Sequence, residues 1–369
     1  MRPFVFSCDA HLAEPEDLFS ASMPAHLSDW IIHTKTDESG FRLTLMGDKV
    51  LMKMRPGLFA HKIDESVQRR GARDLKLRFE DMARDGVDAE LVFPSLGLMA
   101  QRITDREAAL KTAQIYNDWL WDKLEGCRDK LIGAALLPVQ DLGDTLTEFK
   151  RCVAKGYAAA MLPPVLPEGP PPYNDPAWDA IFAYAGEVGV PFVFHTATGA
   201  VNIRAMKGPG GALFNYTRQM NDAVDCIAAL VAGGVLDRNP KAHILFVEFG
   251  AGWLMGLAER MDESYQGHAP QVEPKLKRLP SQIVRDQVHC SFQNDTGCLV
   301  TRDQLGPHSL LFASDYPHAE GTFPYTRDVV AAMFDKVPDM TEAEKRAVLG
   351  GNAAKLFPRS HITAEPIPA

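Results

Sequence analysis

The sequence that decides the fold is Val5-Phe-Ser-Cys-Asp9-Ala-His11-Leu-Ala-Glu14-Pro15. A short apolar run brings Asp9 and His11 two residues apart, so both side chains leave a predicted strand on the same face. A carboxylate and an imidazole at the exit of a buried strand are half of a divalent-metal site. An N-cap Asp beside a hydrogen-bonded structural His explains this stretch equally well, so the remainder of the chain has to distinguish the two.

Length, composition and charge are those of a large globular enzyme. The chain has 369 residues, of which 46% are hydrophobic and 24% are charged. Its formal net charge is −9 and its pI is about 5.7, which disfavours nucleic acid and anionic membrane surfaces as partners. We therefore expect the partner to be a small-molecule substrate.

Cysteine usage and the N-terminus predict a cytoplasmic protein. The six cysteines, at positions 8, 127, 152, 226, 290 and 298, form no C-x-x-C pair and have no regular spacing, which is typical of reduced thiols. Near the N-terminus a charged residue comes too early for a signal peptide. No apolar run approaches the length of a membrane span.

From residue 76 onward, helical stretches alternate with short apolar stretches. Seven predicted strands follow the first one, and they begin near Ala89, Leu131, Tyr157, Pro191, His243, Gln287 and Leu310. Near-continuous apolar strands that alternate with helices are typical of a parallel sheet buried on both faces. Eight such βα units predict a (β/α)8 TIM barrel of the α/β class. An open doubly wound sheet is the rival, but no G-x-G-x-x-G follows the first strand.

The predicted barrel is a single domain over residues 1–357, followed by a tail at 358–369. Roughly residues 20–80 form an insertion after the first strand that does not follow the βα pattern. Within it, residues 41–54 alternate around Gly47-Asp48, which predicts a β-hairpin. An insertion on the catalytic side of a barrel commonly serves as a lid or a dimer arm.

The chemistry of such a barrel lies at the C-terminal ends of its strands. Strands two, three and four end in proline, whereas the other five end in polar groups. Those groups are Asp9, His11, Glu14, His195, Glu248, Asn294, Asp295, Asp315, His318 and Glu320. So many acids and imidazoles at one mouth would be costly to bury together without a cation. The pattern favours a divalent ion such as Zn²⁺, Fe²⁺ or Mn²⁺ over a set of structural residues.

The order of these motifs resembles that of the amidohydrolase superfamily. The motifs are Asp-x-His on strand one, a His on strand five, Glu248-Phe-Gly-Ala-Gly-Trp253 on strand six and Phe312-Ala-Ser-Asp-Tyr-Pro-His318 on strand eight. Asp81-Met-Ala-Arg-Asp-Gly-Val-Asp88 and Gly351-Asn-Ala-Ala-Lys-Leu-Phe357 extend the similarity from about residue 5 to residue 357. Within the superfamily, the chain is similar to the branch of aminocarboxymuconate-semialdehyde decarboxylase and the resorcylate-type decarboxylases.

The resemblance implies one divalent ion, held by Asp9, His11, His195 and Asp315. The sequence departs from the family pattern on three strands. Many members carry His-x-His or Glu-x-Ala on strand one, where this chain has Asp-x-His. Pro163 occupies the place on strand four where binuclear hydrolases keep a bridging lysine, which argues against a carbamylated-lysine centre. On strand six, Glu248 replaces the usual histidine of the hydrolases.

A hydrolase and a decarboxylase both fit the resemblance. In a hydrolase, the ion lowers the pKa of a bound water and Asp315 acts as the base. In a decarboxylase, the ion holds the substrate carboxylate, and Asp315 or His318 protonates the carbon left behind. Glu248 is a third candidate catalytic residue. The candidate substrate contacts are Arg204, as a carboxylate clamp whose alternative is a surface position, Phe292 and Asn294.

Two other hypotheses stay open. Glu14, Glu248 and His318 could complete a second metal position beside the first, as in relatives with this signature that resemble dinuclear iron or manganese–iron oxygenases. A non-catalytic barrel subunit of a hetero-oligomer is the other hypothesis, but it predicts broken ligands and none is broken. The resemblance also implies a homodimer formed through the insertion.

Overall fold

The computed structural model describes residues 2–55 and 70–367. These residues form eleven β-strands. The strands are β1 (Phe6–Leu12), β2 (Ile32–Thr36), β3 (Arg42–Met46), β4 (Lys49–Met54), β5 (Ala89–Pro94), β6 (Leu131–Leu136), β7 (Ala159–Leu162), β8 (Phe192–His195), β9 (Ile244–Val247), β10 (Val288–Phe292) and β11 (Leu310–Phe312).

Eight of these strands form one parallel sheet in the order β1-β5-β6-β7-β8-β9-β10-β11. Strand β1 meets the segment after β11 through a parallel bridge between Ala10 and Tyr316. There the backbone N–H of His11 donates to the carbonyl of Tyr316 at 2.6 Å. This contact closes the sheet into a barrel, and the predicted (β/α)8 fold is confirmed.

The helices lie mostly between consecutive barrel strands. They are α1 (Leu18–Ser22), α2 (Leu75–Asp85), α3 (Arg106–Lys123), α4 (Leu142–Lys155), α5 (Asp179–Val188), α6 (Gly211–Arg218), α7 (Met220–Ala232), α8 (Val235–Arg238), α9 (Leu254–Gly267), α10 (Pro280–Gln287), α11 (Thr296–Val300), α12 (Arg302–Leu305), α13 (Thr326–Asp335), α14 (Glu342–Arg346) and α15 (Asn352–Leu356). Among the described residues, no helix is both long enough and apolar enough to cross a bilayer.

Helices α2 and α4 begin and end at residues that cap them. Asp74 accepts two backbone N–H hydrogen bonds at the start of α2, and Gly86 ends that helix in the left-handed region at φ 80°. Asp141 caps the start of α4, and Gly156 ends it at φ 115°. An N-terminal Asp and a C-terminal Gly satisfy the free backbone groups and turn the chain toward the next strand.

The insertion after β1 contains a three-stranded antiparallel sheet in the order β2-β3-β4. Strands β3 and β4 are joined by a turn at Gly47 and Asp48, where the sequence predicts a hairpin. A Cβ at Gly47, which has φ +55°, would lie 2.4 Å from the carbonyl oxygen of Asp29, so this turn requires glycine. Strand β2 was not predicted. Part of the predicted insertion, residues 56–69, lies outside the described residues.

The barrel strands are buried along their whole lengths, as their apolar sequences predict. Phe194 of β8 and Phe246 of β9 stack with their ring centroids 4.8 Å apart. In the tail, Ile362 is buried and Ile367 pairs with Arg2 ahead of β1. All six cysteines are buried free thiols.

A buried ion pair joins α2 to β5. Nε of Arg78 donates to the Glu90 carboxylate at 2.6 Å, and neither side chain is more than 2% exposed. The same guanidinium donates to the main-chain carbonyl of His11 at 2.8 Å. Burial raises the pKa of Glu90, and the charge of Arg78 opposes that rise. The pair therefore anchors β1 at one of its predicted metal ligands.

Replacing Arg78 with leucine should lower the free energy of unfolding by about 3 kcal/mol, because the Glu90 carboxylate is left buried without its cation. The folded-state pKa of Glu90 then lies further above its unfolded value, so the deficit should grow as the pH rises from about 5 to about 8. Urea unfolding at both pH values measures this loss of unfolding free energy. Arg106→Leu is the control, because the pair of Arg106 with Asp144 is exposed, and it should cost less than about 1 kcal/mol. Equal deficits would contradict the assignment.

Candidate metal centre

Four acidic and imidazole side chains meet at the mouth of the barrel. Asp9 and His11 lie in β1, His195 is the last residue of β8, and Asp315 shortly follows β11. All four are buried, with at most 1% of the residue exposed. Residues far apart in the sequence converge here because the carboxyl ends of the barrel strands face one opening.

The potential ligand atoms are spaced as they would be around one cation. The Nε2 atoms of His11 and His195 are 3.2 Å apart, and they lie 3.4 and 3.5 Å from Oδ1 of Asp9. Nε2 of His11 also lies 3.7 Å from Oδ1 of Asp315. Ligand atoms placed tetrahedrally at about 2.1 Å from one ion are about 3.4 Å apart. The side chains thus already have the separations that a shared ion requires.

The hydrogen bonds at Nδ1 of His11 and His195 determine that their Nε2 atoms face the shared ligand point. Nδ1 of His11 lies 2.7 Å from the carbonyl oxygen of Pro94, and Nδ1 of His195 lies 2.9 Å from that of Thr196. A carbonyl only accepts, so both Nδ1 atoms carry the hydrogen. In the neutral rings, both Nε2 atoms therefore present lone pairs to each other and to Asp9. An Nδ1–H bound to a carbonyl with a free Nε2 is typical of metal-binding histidines.

Three converging lone-pair donors require a positive charge between them. Burial and the neighbouring His318 lower the pKa of His11 to about 4, so His11 is neutral at neutral pH. Burial alone would raise the pKa of Asp9, and it is lowered only where the imidazoles face it as positively charged hydrogen-bond donors, so an ionised Asp9 needs positive charge at this point. Both Asp9 oxygens and Oδ2 of Asp315 are buried without a hydrogen-bond partner among the described residues. The donor set fits a divalent cation.

His318 extends the site from Asp315 toward solvent. Nδ1 of His318 donates to Oδ1 of Asp315 at 2.8 Å, and its ring lies 4.3 Å from the ring of His11. Burial alone would lower the pKa of His318, but the hydrogen bond and charge of Asp315 raise it to about 9. Burial and the charge of Asp9 raise the pKa of Asp315 to about 6. The pair of Asp315 and His318 therefore holds a proton at neutral pH.

Glu248, after β9, faces the same point. Its Oε2 lies 3.6 Å from Nε2 of His195, and its carboxylate lies within 4.8 Å of ligand atoms of Asp315 and Glu320. Burial and the charges of Asp315 and Asp9 raise the pKa of Glu248 well above its ordinary value. Glu248 and Asp315 both have positive φ, 68° and 54°. Such strain in a non-glycine residue points to a functional position.

The structure corrects the predicted role of Glu14 as a ligand of a second metal. Its carboxylate accepts hydrogen bonds from the backbone N–H groups of Ser95, Leu96 and Gly97, the shortest at 2.8 Å. It therefore caps the loop after β5. Across residues 2–55 and 70–367, Glu14 belongs to none of the groups of potential metal ligands. The chain has already left the strand at this residue, which is why the side chain points to the neighbouring strand end.

Arg204, the predicted carboxylate clamp, also lies elsewhere. Its side chain is exposed, and Nη2 donates to the main-chain carbonyl of Lys53 in β4 at 2.7 Å. Arg204 therefore tethers the loop after β8 to the inserted sheet. Arg204 is thus a surface arginine, the alternative to the clamp, because the long loop after His195 carries this residue away from the strand end.

A cavity of about 400 Å³ opens beside Asp9 and Glu248. The predicted substrate contacts Phe292 and Asn294 both line it and so remain candidates. Phe292 is buried and its ring also packs 6.2 Å from that of Phe312 in the core. Asn294 is exposed.

Sequence reasoning missed five polar residues that line this cavity, Tyr216, Thr217, Gln219, Ser291 and Gln293. Tyr216 lies in α6 and Gln219 joins α6 to α7, in a region with no strand end to mark it. Gln293 directly follows β10, so reading every residue at the strand ends, neutral amides included, would have found it.

The chain matches the profile of the amidohydrolase family over residues 8–359, and it therefore belongs to that family. It is an enzyme of the amidohydrolase superfamily, as its motifs imply. Since the predicted ligands also converge, the alternative of a non-catalytic barrel subunit has no support.

Two curated relatives are distant and have different activities. γ-Resorcylate decarboxylase from Rhodococcus jostii is 25% identical over 280 residues, which cover 70% of this chain and 79% of the relative. 2-Keto-4-carboxy-3-hexenedioate hydratase from Sphingobium sp. is 24% identical over 323 residues, which cover 82% of this chain and 86% of the relative.

Solved structures with the same fold include an amidohydrolase from Mycobacterium avium subsp. paratuberculosis, at TM-score 0.78 and 20% identity, covering 97% of this chain and 100% of that one. A dihydroxybenzoic acid decarboxylase from Polaromonas sp., with bound manganese and 2-nitroresorcinol, has TM-score 0.64, 19% identity and 97% coverage of both chains. A 5-carboxyvanillate decarboxylase variant from Novosphingobium aromaticivorans, with manganese and 3-methoxy-4-hydroxy-5-nitrobenzoic acid, has TM-score 0.68 and 18% identity, covering 96% and 97%. At these identities the likeness concerns the fold.

Asp9→Asn should weaken Mn²⁺ binding to the metal-free protein more than about hundredfold, because it removes the one carboxylate that faces both imidazoles. Isothermal titration calorimetry measures the affinity. Glu14→Gln is the matched control on the same strand exit, and it should bind Mn²⁺ like the parent protein, since the Glu14 carboxylate accepts only from loop backbone among the described residues. An unchanged affinity in Asp9→Asn would contradict the assignment of the centre.

Proposed function

We propose that this enzyme is a metal-dependent, non-oxidative decarboxylase of a small aromatic carboxylate. The observation that carries the proposal is the convergence of Asp9, His11 and His195, whose lone pairs meet at one buried point. The decarboxylases among the relatives and among the structures of the same fold support this reaction class. The hydratase relative is the reason to test hydration and hydrolysis beside it.

Asp9, His11, His195 and Asp315 would hold the ion. When bound, a divalent cation supplies the positive charge that draws in the substrate carboxylate and an adjacent oxygen. Manganese is the first ion to test, because two structures of the same fold contain it. Zinc and iron accept the same mixed nitrogen and oxygen ligands.

The pair of Asp315 and His318 would supply the proton. Loss of CO₂ leaves an electron pair on the ring carbon, which takes up one proton, so that the carboxylate and one proton give the arene and CO₂. His318 donates to Asp315, and its raised pKa keeps it protonated at neutral pH. Because the His318 side chain is 36% exposed, solvent can return the proton after each turnover.

With Mn²⁺ present, the protein should release CO₂ from 2,6-dihydroxybenzoate or from another member of a panel of hydroxybenzoates. Asp315→Asn and His318→Gln should each lower kcat at least about hundredfold, because the first removes a metal ligand and the carboxylate that keeps His318 protonated, and the second removes the proton donor. The exposed His268, whose ring contacts a carbonyl of the helix that it follows, provides the control, and His268→Gln should keep full activity. Hydration or ester hydrolysis without any CO₂ release would contradict the proposal.

A dinuclear oxygenase is the second candidate. Glu248, Asp315 and Glu320 form another group of potential ligands, and Asp315 also belongs to a group with His11 and His318. Asp315 could therefore bridge two ions. About two ions per chain, rich in iron, falling to about one in Glu248→Gln and accompanied by O₂ consumption, would favour this candidate. About one ion per chain in both the parent protein and Glu248→Gln would favour the decarboxylase.

We further propose a homodimer located in the cytoplasm. Val50 in β4 and Leu213 and Phe214 in α6 are exposed apolar side chains that a second copy could cover. The six free cysteines fit a reducing compartment. Sedimentation of a monomer at micromolar concentration would overturn the dimer.

A further inference from the structure

We propose that the cavity beside Asp9 takes substrates with a single carboxylate, and that Tyr216 donates a hydrogen bond to a neutral oxygen elsewhere on the substrate ring. The inference rests on the proposed function, because it assumes that the reacting carboxylate lies at the metal ligands. Beyond the reaction class, the inference specifies the charge of the substrate and names Tyr216 as a residue that determines specificity. One relative is named for a substrate with several carboxylates, so family membership determines neither the number of carboxylates on the substrate nor the residue that selects it.

The described lining of this cavity has three acidic side chains and no basic one. Asp9, Glu248 and Asp295 line it, whereas no lysine, arginine or histidine among the described residues does. Asp295 already accepts the backbone N–H groups of Ala251 and Gly252. A second carboxylate on the substrate, away from the ion, would lose its hydration beside these acids and would find no basic partner among the described lining residues.

The arginines of the surrounding loops bind main-chain oxygens instead. Arg204 and Arg218 donate to the carbonyls of Lys53 and Asn202. Arg102 donates to a carbonyl in the loop after β8. None of the three lines the cavity. In residues 2–55 and 70–367, therefore, these loops place no lysine or arginine in the cavity lining.

Among the described lining residues one hydroxyl, that of Tyr216, has no partner, whereas the Ser291 hydroxyl accepts the backbone N–H of Glu248. Thr217 donates to a main-chain carbonyl of its own helix, and Gln219 accepts the hydroxyl of Thr196 at 2.6 Å. The Tyr216 hydroxyl has no hydrogen-bond partner within the part of the chain that the structure describes. Burial and the charge of Glu248 raise the pKa of Tyr216, so it keeps its proton and can donate it to an acceptor.

The volume and the remaining lining fit one substituted ring. The cavity measures about 400 Å³, and an engineered cavity of about 150 Å³ is enough to bind benzene. Met220 and Phe249 provide apolar contacts for the ring. The amide nitrogen of Gln293 is buried without a partner among the described residues, so a second neutral donor stands at this wall. Neutral donors, without a lysine, arginine or histidine in the part of the lining that the structure describes, match hydroxyl or ether oxygens and not a second carboxylate.

The charge of the substrate is tested with two ligands that do not react. On the Mn²⁺-loaded protein, 3-methoxy-4-hydroxy-5-nitrobenzoate and its methyl ester offer the metal the same nitrophenol and differ only in the remote carboxylate. Calorimetry should show the ester binding at least about tenfold more tightly, because only the acid brings an unpaired charge. An acid that binds as tightly as its ester would overturn the single-carboxylate proposal.

The role of Tyr216 is tested with 2-nitroresorcinol and 2-nitrophenol, which lacks the second hydroxyl. Tyr216→Phe should weaken 2-nitroresorcinol binding about fivefold, the effect of one neutral hydrogen bond, and should leave 2-nitrophenol unchanged. Tyr325→Phe removes another exposed hydroxyl, outside the cavity lining, and should change neither. Equal weakening of both ligands in Tyr216→Phe would indicate a merely structural role and overturn the assignment, as would no weakening at all.

These binding measurements separate the inference from the proposed reaction. If the ester preference and the Tyr216 effect hold while no hydroxybenzoate releases CO₂, the proposed decarboxylation is wrong and the inference stands. If hydroxybenzoates are decarboxylated while the acid binds as well as the ester, only the inference is wrong.

Discussion

The Asp9 carboxylate and the Nε2 atoms of His11 and His195 meet at one buried point with lone pairs only. Their separations of 3.2–3.5 Å would be repulsive without a positive charge, since the hydrogens of both imidazoles are bound to carbonyls at Nδ1. Protonating one imidazole can relieve this repulsion, but it places a charge on a buried ring. A divalent ion relieves the repulsion among all three groups at once. The metal dependence of the enzyme follows from this one contact.

The barrel holds Asp9 and His11 where its sheet closes. The hydroxyl of Ser7 donates to the carbonyl of Asp9, and the backbone N–H of Ser314 donates to Ser7. The backbone N–H of Asp315 also donates to the Asp9 carbonyl, at 3.0 Å. The first and last barrel strands are therefore tied together directly behind the ligands. Because this seam is buried, the ligand positions depend on the closure of the whole barrel and not on a flexible loop.

How far the sequence predicts the site depends on distance from a strand end. Asp9, His11 and His195 lie on strands, where the alternation of side chains and the common mouth fix their direction, so apolar patterning was enough to bring them together. Glu14 and Arg204 lie in loops, and their partners are backbone groups of other loops, which no local pattern encodes. Tyr216 was missed for the same reason, because only the fold brings α6 over the cavity. The order of the barrel strands could be predicted, whereas strand β2 of the insertion could not.

The most direct test of the account is the position of the ion in a crystal of the Mn²⁺-loaded protein, located by anomalous scattering. The account predicts one strong peak per chain within about 2.3 Å of an Asp9 oxygen and of both Nε2 atoms. A peak held by Glu248 and Glu320 without contact to His195, or no peak at full Mn²⁺ occupancy in solution, would contradict it.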